Sequence, residues 1–360
     1  MTKSRLTGAQ FTNQLIIIRY FIARRLMIHK LSVRFAASDM KVYKNIHELP
    51  AFTRPVLTIG TFDGVHQGHQ QIIQQLLKEA NDINGTAVVI TFYPHPKQVV
   101  AGMGKKQDAQ GSKSQAIQLL NTPEEKYELL HQQGIEHIVV VPFDQAFAEQ
   151  SASAYVKLFL VDLFHPHTII IGYDHRFGNN RDGDYQLLEA EAVNHSFLVK
   201  EIPEHILKNV TISSTKIRTA LLAGDHETAA NYLGYPYFFS GIVVKGNQLG
   251  RTIGYPTANI EIENELKLVP ANGVYAVNVT LKERTQVYQG MMNIGLRPTV
   301  GGTKRVIEVN IFNFDEEIYG DKLTITLVKF LRSEIKFNGL EALKQQLALD
   351  KEAALKCFQG

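Results

Sequence analysis

One run of residues constrains this chain more than any other: Gly60-Thr61-Phe62-Asp63-Gly64-Val65-His66-Gln67-Gly68-His69. The apolar residues Val56–Ile59 precede it, and apolar positions at helical spacing over Gln70–Ala80 follow it. The run is therefore the turn between a buried strand and a helix. Gly60, Gly64 and Gly68 permit a tight turn and close approach of the backbone to a ligand. His66 and His69 fall on one face at the start of the helix. Two imidazoles beside free N–H groups at the positive end of a helix dipole suit nucleotide phosphates. The turn also lies beyond the carboxyl end of a strand, where open α/β sheets bind ligands. Without a ligand, the same residues would be a glycine-rich turn carrying two surface histidines.

The alternation continues. Strands are expected at Val56–Ile59, Ala87–Phe92, Ile138–Val141, Thr168–Ile171 and Phe197–Ile202, with helices over Gln70–Ala80, Pro123–Gln133 and Ala152–Leu163. Near-continuous apolar strands separated by helices predict a parallel sheet covered on both faces. After about Leu222 the texture changes. Short alternating strands, glycine turns and prolines dominate Gly241–Val328, which predicts an antiparallel barrel or sandwich, and one amphipathic helix over Gly339–Phe358 closes the chain. The expected division is a basic extension over 1–39, an α/β domain over 40–222, a linker over 223–237 and a β domain over 238–360.

Charge sharpens the picture. Residues 1–39 hold seven basic side chains and one acid, although the whole chain carries only +3, so the body from Met40 onward is net acidic. That argues against a nucleic-acid surface, which needs clustered basic residues. The opening segment reads as a transit peptide, as an interfacial helix around Leu15–Ile28, or as an over-called start with Met40 the true beginning. The last is favoured, because no small-residue cleavage site follows a long apolar core. The aliphatic run Leu15–Ile18 is far short of the roughly 20 residues of a membrane span. A single cysteine, Cys357, can form neither an internal disulfide nor a thiolate metal cluster, which fits a reducing cytoplasm. The expectation is a cytoplasmic protein without membrane or nucleic-acid partners, a monomer or weak homo-oligomer.

A second motif, Ile212-Ser213-Ser214-Thr215-Lys216-Ile217-Arg218, follows the last strand of the α/β half. Hydroxyl residues at a helix start cap free N–H groups, and that alone explains them. The hydroxyls of Ser213, Ser214 and Thr215, with Arg218 one turn on, would also grip a triphosphate. The chain has no Walker A loop; Gly102-Met103-Gly104-Lys105-Lys106 lacks the hydroxyl residue and the strand-to-helix context. His165 and His167 lack a third ligand at metal spacing and read as a surface turn.

Together the two motifs resemble the HxGH nucleotidyltransferase superfamily. Thr91-Phe92-Tyr93-Pro94-His95-Pro96 and Gly172-Tyr173-Asp174-His175-Arg176-Phe177-Gly178 look like its FMN-adenylylating branch, with His175 standing where many relatives have Phe. In the second half, Gly250-Arg251-Thr252-Ile253-Gly254-Tyr255-Pro256-Thr257-Ala258-Asn259 resembles the ATP·Mg loop of riboflavin kinases. Asn272-Gly273-Val274-Tyr275, Asn293-Ile294-Gly295 with Pro298-Thr299, Glu308-Val309-Asn310 and Leu331-Arg332 also fit. The chain thus resembles the bifunctional prokaryotic riboflavin kinase/FMN adenylyltransferase family, also called FAD synthetases, over roughly residues 40–358.

The resemblance implies a Rossmann-like nucleotidyltransferase domain followed by a mostly antiparallel β-barrel with a C-terminal helix. It implies riboflavin, FMN, FAD and ATP as substrates and products, and Mg²⁺ as cofactor. His66, His69 and Arg218 would stabilise adenylyl transfer, and Glu308 would be the base of the kinase. Gly60, Phe62, Gly68, Ser213, Ser214, Thr215, Gly250, Thr252 and Gly254 would contact nucleotide. Phe92, His95, Pro96, Asp174, Arg176, Asn310 and Arg332 would contact flavin, and Thr257 and Asn259 would hold the metal. Two other readings differ in class: a nucleotidyltransferase with another phosphate acceptor, and a non-enzymatic flavin-binding regulator. A kinase-like barrel opposes the first, and retention of His66, His69, Thr257, Asn259 and Glu308 opposes the second.

Overall fold

In the first half, successive strand residues point to opposite faces and bury against different partners. Val56, Val89, Ile138 and Val140 join one apolar cluster, while Leu57, Val88, Ile90, Val139 and Val141 join another. A strand buried on both faces belongs to a parallel sheet sandwiched between helices. The computed structural model, which describes residues 40–103, 117–203, 212–246, 249–299 and 302–359, has that sheet. Its six strands are β1 (Lys41–Tyr43), β2 (Val56–Ile59), β3 (Ala87–Tyr93), β4 (His137–Pro142), β5 (Thr168–Gly172) and β6 (Leu198–Ile202), in the order β1-β4-β3-β2-β5-β6, all parallel. The central position of β2 sets the glycine-rich turn at the middle of the sheet's carboxyl edge.

Helices α1 (Gln67–Asp82), α2 (Pro96–Met103), α3 (Pro123–Gln132), α4 (Tyr185–His195) and α5 (Ser214–Leu222) flank the sheet. The stretch expected as a helix over Ala152–Leu163 is helical but π-wound over Tyr155–Val161. The edge strand β1 and helices α2 and α4 have no counterpart among the expectations, nor has helix α6 (His226–Leu233). Helix α6 lies within 223–237, the expected linker, and buries Ala229 and Leu233 completely. The opening segment and Gly104-Lys105-Lys106 of the glycine–lysine run lie outside the described residues.

The second half is a closed six-stranded barrel in the order β10-β11-β8-β7-β12-β9, which resolves the barrel-or-sandwich alternative. Its strands are β7 (Phe238–Val244), β8 (Ala258–Glu261), β9 (Gly273–Leu281), β10 (Val287–Thr299), β11 (Gly302–Ile311) and β12 (Lys322–Arg332), antiparallel throughout. Tyr275, Val277 and Val279 of β9 face the barrel core, whereas Ala276 faces outward under α7 (Leu340–Cys357), against Ala354. Arg332 is bound to Asp350 of that helix by two hydrogen bonds, 2.8 and 2.7 Å, which fasten α7 to the barrel. Among the described residues no helix is long and apolar enough to cross a membrane.

The two halves share a core. One apolar cluster runs from the α1 face of the sheet through α5 and α6 into the barrel interior, joining Ile73, Ile217, Leu233, Tyr237, Val277 and Ile325. The Tyr235 hydroxyl, buried, donates to Gly64 O at 2.6 Å, so the segment leading into the barrel touches the glycine-rich turn directly. Leu233 sits at the centre of this junction, and Leu233→Ala should cost about 2–5 kcal/mol. Differential scanning calorimetry should record one transition, shifted down as a whole. Two resolved peaks with only one displaced would show that the halves melt independently.

Candidate active sites

The turn after β2 is held in an unusual backbone. Phe62 and Val65 both have positive φ (48° and 34°), and such strain in non-glycine residues persists only where surroundings over-determine it. Gly64 has φ +89°, and a Cβ there would lie 2.7 Å from the Leu120 side chain, so only glycine fits. The turn delivers His66 as the N-cap of α1, its Nδ1 accepting the His69 N–H at 3.4 Å. The two imidazoles stack with centroids 3.7 Å apart, and Phe62 packs on His69 at 5.1 Å. His69 Nδ1 and Asn121 Nδ2 are buried without a hydrogen-bond partner. Such atoms are costly unless a ligand meets them.

Asp63 gathers the surrounding elements. Its carboxylate accepts the N–H groups of Leu120 (2.9 Å) and Asn121 (3.4 Å) and pairs with the Arg218 guanidinium on α5. Arg218 Nε also donates to Gln118 O at 2.5 Å, and the Ser214 hydroxyl donates to Asp63 O at 2.9 Å. Ser213 caps α5 by accepting from Lys216 N. Both sequence motifs therefore meet around one carboxylate, while Thr215 faces solvent. Burial pushes the Asp63 carboxyl up; Arg218 and the two amides oppose that push.

Beside them a narrow cleft is lined by Thr61, Asp63, Phe92, His95, Asn121 and Lys126, among others. Lys126, on α3, was not among the sequence candidates. Its ammonium is buried and donates to Thr61 O (3.2 Å) and Thr91 Oγ1 (2.9 Å). The sequence signal is a lysine on the inward face of α3, in step with Pro123, Tyr127 and Leu130. Burial draws Lys126 down to about 8. Burial likewise draws His66 and His95 down to about 4 and His69 well below the ordinary histidine range. The imidazoles are thus neutral at neutral pH, and the positive charge of the site rests on Lys126 and Arg218.

Not every candidate joins this cluster. Pro96 opens α2 beside His95, and Phe92 packs edge-on to Phe143. Asp174 and Arg176 are exposed in the loop after β5, where Arg176 pairs with Asp184 at 2.8 Å. His175, tilted against Phe177, has a buried Nε2 without a partner, and burial draws it down to about 4.

In the barrel, register builds a second site. Glu308 of β11 stands opposite Asn259 of β8 on one side and Asn293 of β10 on the other. Directly opposed residues share a face of the sheet, so the three line up. Ile307 and Val309 point the other way, into the core. Arg297, a second residue not among the candidates although it lies between the quoted Gly295 and Pro298, donates to Glu308 Oε2 at 2.6 Å. Asn310, buried, donates from Nδ2 to Pro256 O at 2.6 Å. At Gly250 a Cβ would collide with the Tyr255 carbonyl and lie 3.5 Å from Thr257 Oγ1, so the loop closes over the Thr257 hydroxyl. Thr252 and Gly254 are exposed on the same loop.

Comparison with known proteins matches both halves of the chain. A riboflavin kinase family model matches residues 233–358, and an FAD synthetase model matches residues 50–216. The bifunctional riboflavin kinase/FMN adenylyltransferase of Haemophilus influenzae is 37% identical over 304 residues, covering 84% of this chain and 94% of the relative. That of Bacillus subtilis is 36% identical over 312 residues, covering 85% and 93%. That of Escherichia coli K12 is 35% identical over 321 residues, covering 89% and 98%. The solved structure of a macrolide-efflux protein from Streptococcus pneumoniae superposes with a TM-score of 0.74 at 29% identity, covering 87% of this chain and 98% of that one.

The buried neutral histidines make stability pH-dependent. Each takes up a proton in the unfolded chain near pH 6.5 but resists it in the folded protein down to about pH 4 for His66, His95 and His175. Stability should therefore be full above pH 6.5 and fall as pH drops toward 4. His175→Phe removes one such group. The variant should gain on the wild type by up to about 1.4 kcal/mol per pH unit across that window. Urea unfolding at pH 7.5 and pH 5 measures the gap, and an equal gap at both values would refute the assignment.

Proposed function

The chain belongs to the bifunctional riboflavin kinase/FMN adenylyltransferase family, and we propose that its two sites divide the two steps of flavin cofactor synthesis between the barrel and the α/β half. It is an enzyme of two ATP-dependent transfers: riboflavin and ATP give FMN and ADP, then FMN and ATP give FAD and pyrophosphate. The observation that carries the division is the assembly, in one chain, of two unlike polar sites, His66/His69 with Lys126 and Arg218 in the first half and Glu308 with Asn259 in the second.

In the barrel, the Glu308 carboxylate takes the proton of the ribityl 5′-hydroxyl as that oxygen attacks the γ-phosphorus of ATP, and ADP leaves. Arg297, bound to one Glu308 oxygen, aims the other. Phosphoryl transfer asks little of a protein beyond such orientation and charge neutralisation. Thr257 and Asn259 offer hard oxygen donors beneath the close turn at Gly250 and fit Mg²⁺, which takes few protein ligands. They would hold the ion, which would neutralise phosphate charge.

In the α/β half, an FMN phosphate oxygen attacks the α-phosphorus of ATP in line, and pyrophosphate leaves. No covalent enzyme intermediate is needed. The α1 N-terminus, His66 and His69 meet the charge that grows on the phosphates, with Lys126 and Arg218 supplying positive charge at neutral pH. Phosphate raises the proton affinity of a neutral imidazole, so the pair gains charge only when substrate is present. Ser213, Ser214 and Thr215 contact the triphosphate, and Phe92, His95, Pro96, Asp174 and Arg176 the flavin. Asn310 and Arg332 contact the flavin of the kinase step, Arg332 keeping its pair with Asp350. The reading places the enzyme in the cytoplasm, as a monomer or weak homo-oligomer.

Incubating the protein with riboflavin, ATP and Mg²⁺ and separating flavins by chromatography tests the reading directly. FMN should appear first and FAD later; binding without turnover would overturn it. Glu308→Ala should lower FMN formation by about 10²–10⁴-fold, the usual general-base contribution, while FMN-to-FAD conversion continues. His69→Ala should lower kcat for FAD formation roughly 10²-fold or more with KM for FMN nearly unchanged, because the interaction forms only in the transition state. His69→Asn should fall between wild type and alanine. Near-normal kcat in His66→Ala and His69→Ala would refute the role of the pair.

A further inference from the structure

A buried ammonium from the barrel reaches into the first half. Lys267 lies in the connection between β8 and β9, and its side chain has no solvent exposure. Its Nζ donates to Glu125 Oε2 at 2.5 Å, Leu120 O at 2.7 Å and Phe238 O at 2.9 Å. Three acceptors satisfy its three protons, and the Tyr237 ring covers it at 4.7 Å. Glu125 is held as tightly: Oε2 also accepts the Thr122 N–H at 3.0 Å, and Oε1 accepts the N–H of Ser240 in β7 at 3.2 Å. Next to the pair the two backbones are stitched together. Leu119 N donates to Leu266 O at 2.6 Å, and Leu268 N donates to Leu119 O at 2.8 Å.

We propose that Lys267 is a positioning residue for adenylyl transfer, one domain away from the reaction, because it fixes the strip 118–122 on which Asp63, Arg218 and Lys126 depend. This rests on the reading of the His66/His69 site as the adenylyltransferase. The strip supplies the Leu120 and Asn121 amides that orient Asp63, and the Gln118 carbonyl that receives Arg218. Asn121, whose Nδ2 has no partner, belongs to it, and Lys126 follows Glu125 on the same helix. Buried ion pairs are poor cement, since apolar side chains of equal volume hold as well. What an apolar pair would lack is register: three directed bonds allow the strip one position, whereas apolar packing tolerates slippage. Lys267 is not part of the kinase site, so that activity is an internal control.

The test uses the full-length chain. Lys267→Met keeps much of the volume but strands the Glu125 carboxylate; Glu125→Gln with Lys267→Met leaves the junction neutral, which guards against simple misfolding. kcat and KM are measured for FAD formation from FMN and ATP and for FMN formation from riboflavin, with thermal midpoints alongside. In both variants kcat for FAD formation should fall roughly 10- to 100-fold, the scale of a slight misplacement at a reacting centre. KM for FMN and the kinase rate should stay within about twofold, since no flavin contact is removed. The double variant should recover the midpoint lost in the single one without recovering FAD turnover. A double variant with wild-type midpoint and wild-type FAD turnover would overturn the proposal and leave the pair a purely structural one. A parallel fall of both activities would overturn it too. A wild-type protein that makes FMN but no FAD would instead refute the adenylyltransferase reading itself.

Discussion

Asp63 is the point on which the α/β half turns. A buried carboxylate must be paired and hydrogen-bonded or it neutralises. Here its partners come from two separate stretches of chain: Arg218 on α5, and the Leu120 and Asn121 amides ahead of α3. Satisfying one charge therefore forces the turn after β2, the start of α5 and the strip before α3 into fixed relation. The strained φ values at Phe62 and Val65 are held by these same bonds and by Leu120, which leaves no room for a Cβ at Gly64. The histidine pair inherits its position from that arrangement.

The electrostatics of the site follow from its dryness. Burial that would make a bound phosphate's contacts strong also strips the site of histidine charge, leaving imidazoles stacked face to face without repulsion. Two neutral rings can share that space; two imidazolium ions could not. At neutral pH the positive charge stands instead on Lys126, bonded to Thr61 and Thr91, and on Arg218, bonded to Asp63. The barrel site contrasts with this. Glu308 is only half-buried, and its surroundings are set by strand register and by one arginine.

Much of this was legible in the sequence because period and turn chemistry are local. Val56–Ile59 and Pro123–Gln132 stand almost where the apolar pattern predicts them. The resemblance gave the closed barrel, where the strand pattern alone left a sandwich open. What stayed hidden was non-local. β1 has three residues and makes sense only beside β4. Helix α6 was hidden in a stretch read as a linker, since its buried face matters only once the barrel is present. Lys126 and Arg297 are ordinary basic residues until folding puts one under Thr61 and the other on Glu308. The reverse held for Arg332 and Arg176, whose guanidinium groups are engaged by Asp350 and Asp184, partners no motif names.

The parallel bridge between Leu119 and Lys267 has a consequence for how such proteins can change. The peptide chain passes from one half to the other near residue 230, but the hydrogen-bonded frontier lies elsewhere, since the strip 118–122 is pinned to the barrel's Leu266–Leu268. A recombination event that cut the gene at the chain boundary would pair this strip with a foreign β8–β9 connection. Chimeras between relatives should be tolerated only when strip and connection travel together, so the unit of inheritance is larger than either fold.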